Sequence, residues 1–228
     1  MARALIFDFD GVIADSETLA NTVLAETVTG LGLPTTLDDA LSRYQGRRWP
    51  EALELMESGL GRPLPSGFSD DLKAALLRRF QTELREVAGA TDFIRHFSHL
   101  PKCIASSSSF DRLQLCLDVL ALSHEFGENV FSADMVERGK PHPDIFLFAA
   151  KRIGVAPSDC IVIEDSASGV RAGVAAGMIV IGLCAGSHLR DGHAQRLREA
   201  GGHHIADTWI EATKLVVELA ISPCRQRS

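Results

Sequence analysis

The strongest constraint on this chain is a set of short apolar runs that stop abruptly at polar residues. Ala4–Phe7 halts at Asp8, Cys103–Ala105 at Ser106 and Ile161–Ile163 at Glu164, and Ile179–Leu183 follows. Runs this short and this rich in Ile and Val suit strands buried on both faces, as in a parallel sheet. Between them lie stretches of helical period: Arg112–Leu120, Asp144–Ile153, Ser168–Ala176 and His188–Glu199. In the second of these, Ile145, Phe146, Ala149, Ala150 and Ile153 form one stripe. Strands alternating with helices build βαβ units, so the predicted fold class is α/β, a doubly wound parallel sheet.

One segment breaks the rhythm. From about Glu17 to Val87 the patterns are helical only (Thr18–Gly30, Leu37–Tyr44, Pro50–Met56, Asp70–Val87), joined by Gly- and Pro-rich connectors. This predicts an all-helical domain inserted after the first strand. The expected division is a core of residues 1–15 and 90–228 with an insert of residues 16–89. Gly59–Gly67 lacks Gly-Lys-Ser/Thr and is read as a connector, not as a phosphate-binding loop.

Charge narrows the possible partners. Thirty Asp and Glu against 23 Lys and Arg give a net charge of −7, which offers no footprint for nucleic acid or an anionic membrane. No apolar run approaches the ~20 residues of a membrane span. The opening Met-Ala-Arg-Ala-Leu-Ile-Phe reaches Asp8 too soon for a signal peptide, so a cytoplasmic location is expected. The five cysteines show no CxxC spacing, which indicates neither a disulfide framework nor a zinc site.

Ligands of open α/β sheets bind outside the carboxyl ends of the strands, so each strand end nominates residues for one crevice. The first supplies Asp8-Phe9-Asp10-Gly11, where residues i and i+2 of an extended chain point the same way. Others supply Ser106 with the serines up to Ser109, and Glu164-Asp165. Gly139-Lys140-Pro141-His142-Pro143-Asp144 leads into a helix and holds Lys140 on a stiff turn. Two carboxylates ~4 Å apart repel by about 4 kcal/mol at an effective dielectric of ~20. Such a cluster keeps protons or recruits cations, and oxygen-only ligands suit Mg²⁺. Lysine, hydroxyl and Mg²⁺ facing one point form a site for a phosphoryl group, with a carboxylate placed for in-line attack.

Leu5-Ile6-Phe7-Asp8-Phe9-Asp10-Gly11-Val12-Ile13-Ala14-Asp15-Ser16-Glu17 resembles the first motif of the haloacid dehalogenase superfamily. Ser106, Lys140 and Glu164-Asp165-Ser166 resemble the second, third and fourth motifs, in order. The helical insert resembles the cap of the subgroup containing beta-phosphoglucomutase and phosphoglycolate phosphatase. The resemblance implies a Rossmann-like core, with Asp8 as a nucleophile forming an aspartyl-phosphate and Asp10 as general acid and base. Ser106 and main-chain N–H groups near Ser107 would hold phosphoryl oxygens, and Lys140 would neutralise charge. The implied Mg²⁺ ligands are Asp8, the Asp10 carbonyl and Asp165, with Glu164 acting through water.

The implied activity is Mg²⁺-dependent hydrolysis of a phosphomonoester of a small metabolite, a sugar or sugar-acid phosphate. The alternative is a sugar phosphomutase, against which stand Glu17–Asn21 without a histidine and a displaced loop arginine. A dehalogenase would not need Asp10, and a receiver domain would be about half this length. The expected assembly is a monomer or weak dimer. Gly46-Arg47-Arg48-Trp49, in the insert, is either a substrate-binding loop or a solvated helix start with Trp49 in the core of the insert. Ser108 or Ser109 is expected to cap the next helix. His96, His99, His124, His188, His193 and His203-His204 lack ligand-spaced partners and read as surface or strand-end residues, and His142 as a support of its turn.

Overall fold

The computed structural model describes residues 4–44, 47 and 49–221. By its internal contacts the chain forms two compact units, Ser16–Leu84 and the remainder on either side of it.

The larger unit begins with β1 (Ala4–Phe7), whose four residues are all buried. The helical unit follows, and after its four helices the chain returns through α5 (Ala90–His96). Beyond it come β2 (Lys102–Ser106), α6 (Phe110–Val119), α7 (Ser123–Phe126) and β3 (Val130–Ser132). The last part runs α8 (Asp144–Arg152), β4 (Cys160–Glu164), α9 (Ala167–Ala175), β5 (Ile179–Leu183), α10 (His193–Glu199), β6 (His204–Ala206) and α11 (Trp209–Ile221). The six strands form one sheet in the order β3-β2-β1-β4-β5-β6, every neighbouring pair parallel. Phe7 lies beside Ile104 of β2 and Ile163 of β4.

Burial on both faces explains the continuous apolar runs. On one face Ala4, Ile6, Cys103 and Val162 pack with Ile145, Phe146 and Ala149 of α8 and Val170 of α9. On the other, Phe7 meets the rings of Phe93, Phe126 and Trp209, the first two edge-on with centroids 5.9 Å away. Cys103, Cys116 and Cys160 are buried free thiols and Cys184 is half-buried, while Cys224 lies outside the described residues.

The helical unit comprises α1 (Ser16–Gly30), α2 (Leu37–Arg43), α3 (Trp49–Leu60) and α4 (Phe68–Glu83). Its own core gathers Leu24, Val28, Ala40, Tyr44, Ala52, Met56 and Phe68. Thr36 and Asp39 form a reciprocal capping box at the start of α2, and Arg79 of α4 bonds Glu26 of α1 at 2.7 Å.

Three differences from the sequence reading have local causes. α4 ends at Glu83, not Val87, because Leu84 turns to an extended conformation (φ −58°, ψ 137°). The chain then rejoins the larger unit at Arg85, where Asp15 N–H bonds the Arg85 carbonyl and Val87 N–H bonds that of Ile13. The second division therefore falls five residues before residue 90. The His188–Glu199 pattern yields a helix only from His193, after Gly192 in the left-handed region (φ 78°). Among the described residues no helix is long and apolar enough to cross a membrane.

Candidate active site

The strand order reverses beside β1: the chain runs outward through β2 and β3, then restarts at β4 on the other flank. The crevice between such diverging halves lies at the carboxyl ends of β1 and β4, where Asp8 and Glu164-Asp165 stand.

Asp8, Glu164 and Asp165 are buried, and each offers an oxygen within 4.8 Å of the others'. Lys140, in the loop before α8, reaches between two of them, with Nζ 2.6 Å from Asp8 Oδ1 and 2.8 Å from Glu164 Oε1. Its ammonium also lies 4.9 Å from the centre of the Phe146 ring, a cation–π contact. Burial by itself would lower the lysine's pKa, but the Asp8 and Glu164 carboxylates outweigh it and hold Lys140 charged. Asp8 is pushed well above its ordinary value, first by burial and then by Glu164 and Asp165, against the pull of Lys140. Glu164 is fixed at its other oxygen, where Oε2 accepts from the N–H (2.7 Å) and hydroxyl (2.9 Å) of Ser166. The Ser166 hydroxyl in turn accepts from Gly169 N–H and caps α9.

Asp10 is half-buried and faces different partners. Its Oδ2 accepts from the Ser108 hydroxyl and its Oδ1 from the Arg112 guanidinium, both at 2.5 Å. Its carboxylate is therefore not one of the three gathered around Lys140, and only its main-chain carbonyl is left for the metal role that the resemblance implies. Gly11 follows with φ +78°, and a side-chain carbon there would sit 1.9 Å from Asp165 Oδ2. Glycine is required on both counts.

At the end of β2, Ser106 is buried and its hydroxyl accepts from Ser108 N–H at 3.1 Å, while Ser107 is exposed. Ser109 occupies the N-cap position of α6, as expected, but its side chain makes no capping bond, and the Ser108 hydroxyl is turned onto Asp10.

The histidine reading also needs correcting. His188 is buried, with Nε2 3.3 Å from Asp165 Oδ2, and His193 Nε2 lies 2.5 Å from the Asp165 carbonyl. Sequence spacing gave no sign of these contacts, because 23 and 28 residues separate the partners. Arg112 was missed for a similar reason, although its place four residues after Ser108 puts it in the first turn of α6.

In the helical unit Arg47 is exposed, and its Nε donates to the Arg43 carbonyl at 2.7 Å. Gly46 and Arg48 lie outside the described residues. Trp49 is 39% exposed, stacks on Phe68 with centroids 6.5 Å apart and donates to Ser69, so it is not enclosed in the core of that unit.

A family model for haloacid dehalogenase-like hydrolases matches residues 2–177. A curated relative, the 6-phosphogluconate phosphatase of Escherichia coli (strain K12), is 27% identical over 82% of this chain and 84% of its own. A haloacid dehalogenase-like protein from Agrobacterium tumefaciens str. C58 superposes with a TM-score of 0.86 at 32% identity, covering 96% of this chain and 100% of that one. A hydrolase of the same family from Deinococcus radiodurans R1, solved with bound phosphate and sodium, gives 0.83 at 30% identity and 96% of both chains.

Proposed function

This chain belongs to the haloacid dehalogenase-like hydrolases, and from that premise we propose that it is a Mg²⁺-dependent phosphomonoesterase working through an aspartyl-phosphate on Asp8. The observation that carries this reading is the position of Asp8 at the switch point, 2.6 Å from Lys140 and beside two further buried acids.

The donor set fits a hard divalent cation. Three buried carboxylates meet one ammonium, and their oxygens favour Mg²⁺ over softer metals. When bound, the cation offsets the charge of the carboxylates and of the phosphoryl oxygens and favours the ionised Asp8 that attack requires. Asp8, Asp165 and the Asp10 carbonyl would hold it, with Glu164, already tied to Lys140 and Ser166, acting through water.

The chain's own groups then divide the chemistry. An Asp8 oxygen attacks phosphorus, the bond from phosphorus to the substrate oxygen breaks, and that oxygen takes a proton from Asp10. Water, giving its proton to Asp10, attacks phosphorus next, and the Asp8–phosphorus bond breaks to release phosphate. Both Asp10 oxygens are engaged, by Ser108 and Arg112, so proton transfer requires Asp10 to exchange one of these contacts. Ser106 and N–H groups near Ser107 hold phosphoryl oxygens, and Lys140 offsets the charge that develops on them.

The proposed substrate is a sugar or sugar-acid phosphate, a class that includes the substrate named for the Escherichia coli relative. Gly46, Arg47 and Arg48 are proposed to bind its non-phosphate end. A phosphate-release screen over phosphorylated metabolites, with and without Mg²⁺, tests the reading. Release that requires Mg²⁺ supports it, and equal release with EDTA contradicts it. Conversion of β-glucose 1-phosphate to glucose 6-phosphate without free phosphate would instead indicate a mutase.

A further inference from the structure

We propose that His188 and His193 are positioning residues that fix Asp165, from its side chain and its main chain respectively, in the orientation a divalent cation needs. The inference rests on the metal reading above and adds to it two residues outside the four motifs.

β5 pairs with β4, with Gly182 beside Glu164, so the loop that leaves β5 passes next to Asp165. That loop carries Gly186, Ser187 and His188, and it ends at His193, the first residue of α10. The His188 ring occupies a narrow slot: a side-chain carbon at either Gly11 or Gly186 would fall 2.8 Å from its Cε1. Only 7% of the His188 side chain and 5% of the Asp165 side chain are exposed. The residue before His188 is anchored as well, since Ser187 donates to Asp15 Oδ1 from its N–H (3.2 Å) and its hydroxyl (2.8 Å).

The proton on His193 follows from its neighbours. The Asp165 carbonyl can only accept, so the facing Nε2 carries the hydrogen. Arg196 Nη2, 3.1 Å from Nδ1, can only donate, so Nδ1 is the acceptor. The neutral ring thus ties the Asp165 carbonyl to the first turn of α10.

With its carbonyl tied and Oδ2 engaged by His188, Asp165 presents a fixed edge instead of rotating freely. Groups that orient a metal-binding side chain in this way commonly change metal affinity by about 10–100-fold when removed.

The test is calorimetric titration of MgCl₂ into the full chain without substrate. Wild type should bind, and His188→Ala and His193→Ala should each weaken the Kd about tenfold or more. His188→Gln, whose amide nitrogen can stand where Nε2 does, should restore most of the affinity, whereas the shorter His188→Asn should not. Wild-type affinity in both folded alanine variants would overturn the inference alone. If an alanine variant fails to fold by circular dichroism, equal Mg²⁺ affinity in folded His188→Gln and His188→Asn would overturn it. A wild-type protein that binds no Mg²⁺ would overturn the metal reading, and this inference with it.

Discussion

Asp8 and Asp10 leave the same strand two residues apart and end in opposite electrostatic company. Asp8 turns toward β4, where burial, Glu164 and Asp165 oppose its charge and Lys140 supports it. Asp10 turns toward β2 and α6, where a hydroxyl and a guanidinium hold both of its oxygens. The strand's alternation brings both to the crevice, but the switch point divides their neighbours between the two halves of the sheet. One carboxyl is set among buried acids that Lys140 opposes, and the other between a hydroxyl and a guanidinium. Two similar side chains can take different roles for that reason.

The largest expected effect comes from Asp8→Asn, which removes the attacking oxygen's charge. Its kcat should fall about 10⁴-fold or more in a phosphate-release assay. Asp10→Asn should cost about 10²–10⁴-fold, the usual contribution of a general acid and base, and should leave far-UV circular dichroism unchanged. Lys140→Ala should lower kcat about 10²–10³-fold. It should also cost about 3–5 kcal/mol in chemical denaturation without metal, because buried carboxylates lose their partner, with part of the loss regained in Mg²⁺. Arg112→Ala should lower kcat roughly tenfold by loosening Asp10 while Mg²⁺ affinity stays unchanged. A change of Mg²⁺ affinity in Arg112→Ala as large as that in Lys140→Ala would erase the distinction between the two corners.

The smallest effect is one of pH. Asp8 has a folded pKa above its unfolded 3.8, so between those values the folded chain binds more protons than the unfolded one. Its contribution to stability is then present at low pH and is lost as pH rises through the folded value. In EDTA, melting temperature measured against pH should therefore carry a downward component that Asp8→Asn lacks and Mg²⁺ suppresses.

The strand ends were legible because a buried parallel strand reads as an apolar run and must stop where its side chains become polar, as at Phe7-Asp8 and Ile163-Glu164. β3 and β6 were not. Each has three residues, and β6 is only partly buried, so neither shows a run or an alternation. The same limit applies to the side chains that surround the acids. Lys140 stood out because Pro141 and Pro143 follow it on a stiff turn into a helix. Arg112, His188 and His193 gained their partners only through strand pairing and helix placement, and no spacing along the chain encodes those contacts.

The central claim, that Asp8 carries the phosphoryl group, is tested most directly by trapping the phosphoenzyme. Asp10→Asn, slowed in the hydrolytic step, would be mixed with Mg²⁺ and an intact sugar phosphate that the wild type hydrolyses, quenched in acid and mapped by peptide mass spectrometry. The account predicts one added phosphoryl group on the peptide containing residue 8, located on Asp8 and absent from an Asp8→Asn/Asp10→Asn double variant. Label on any other residue, or phosphate release that persists at wild-type rate in Asp8→Asn, would contradict it.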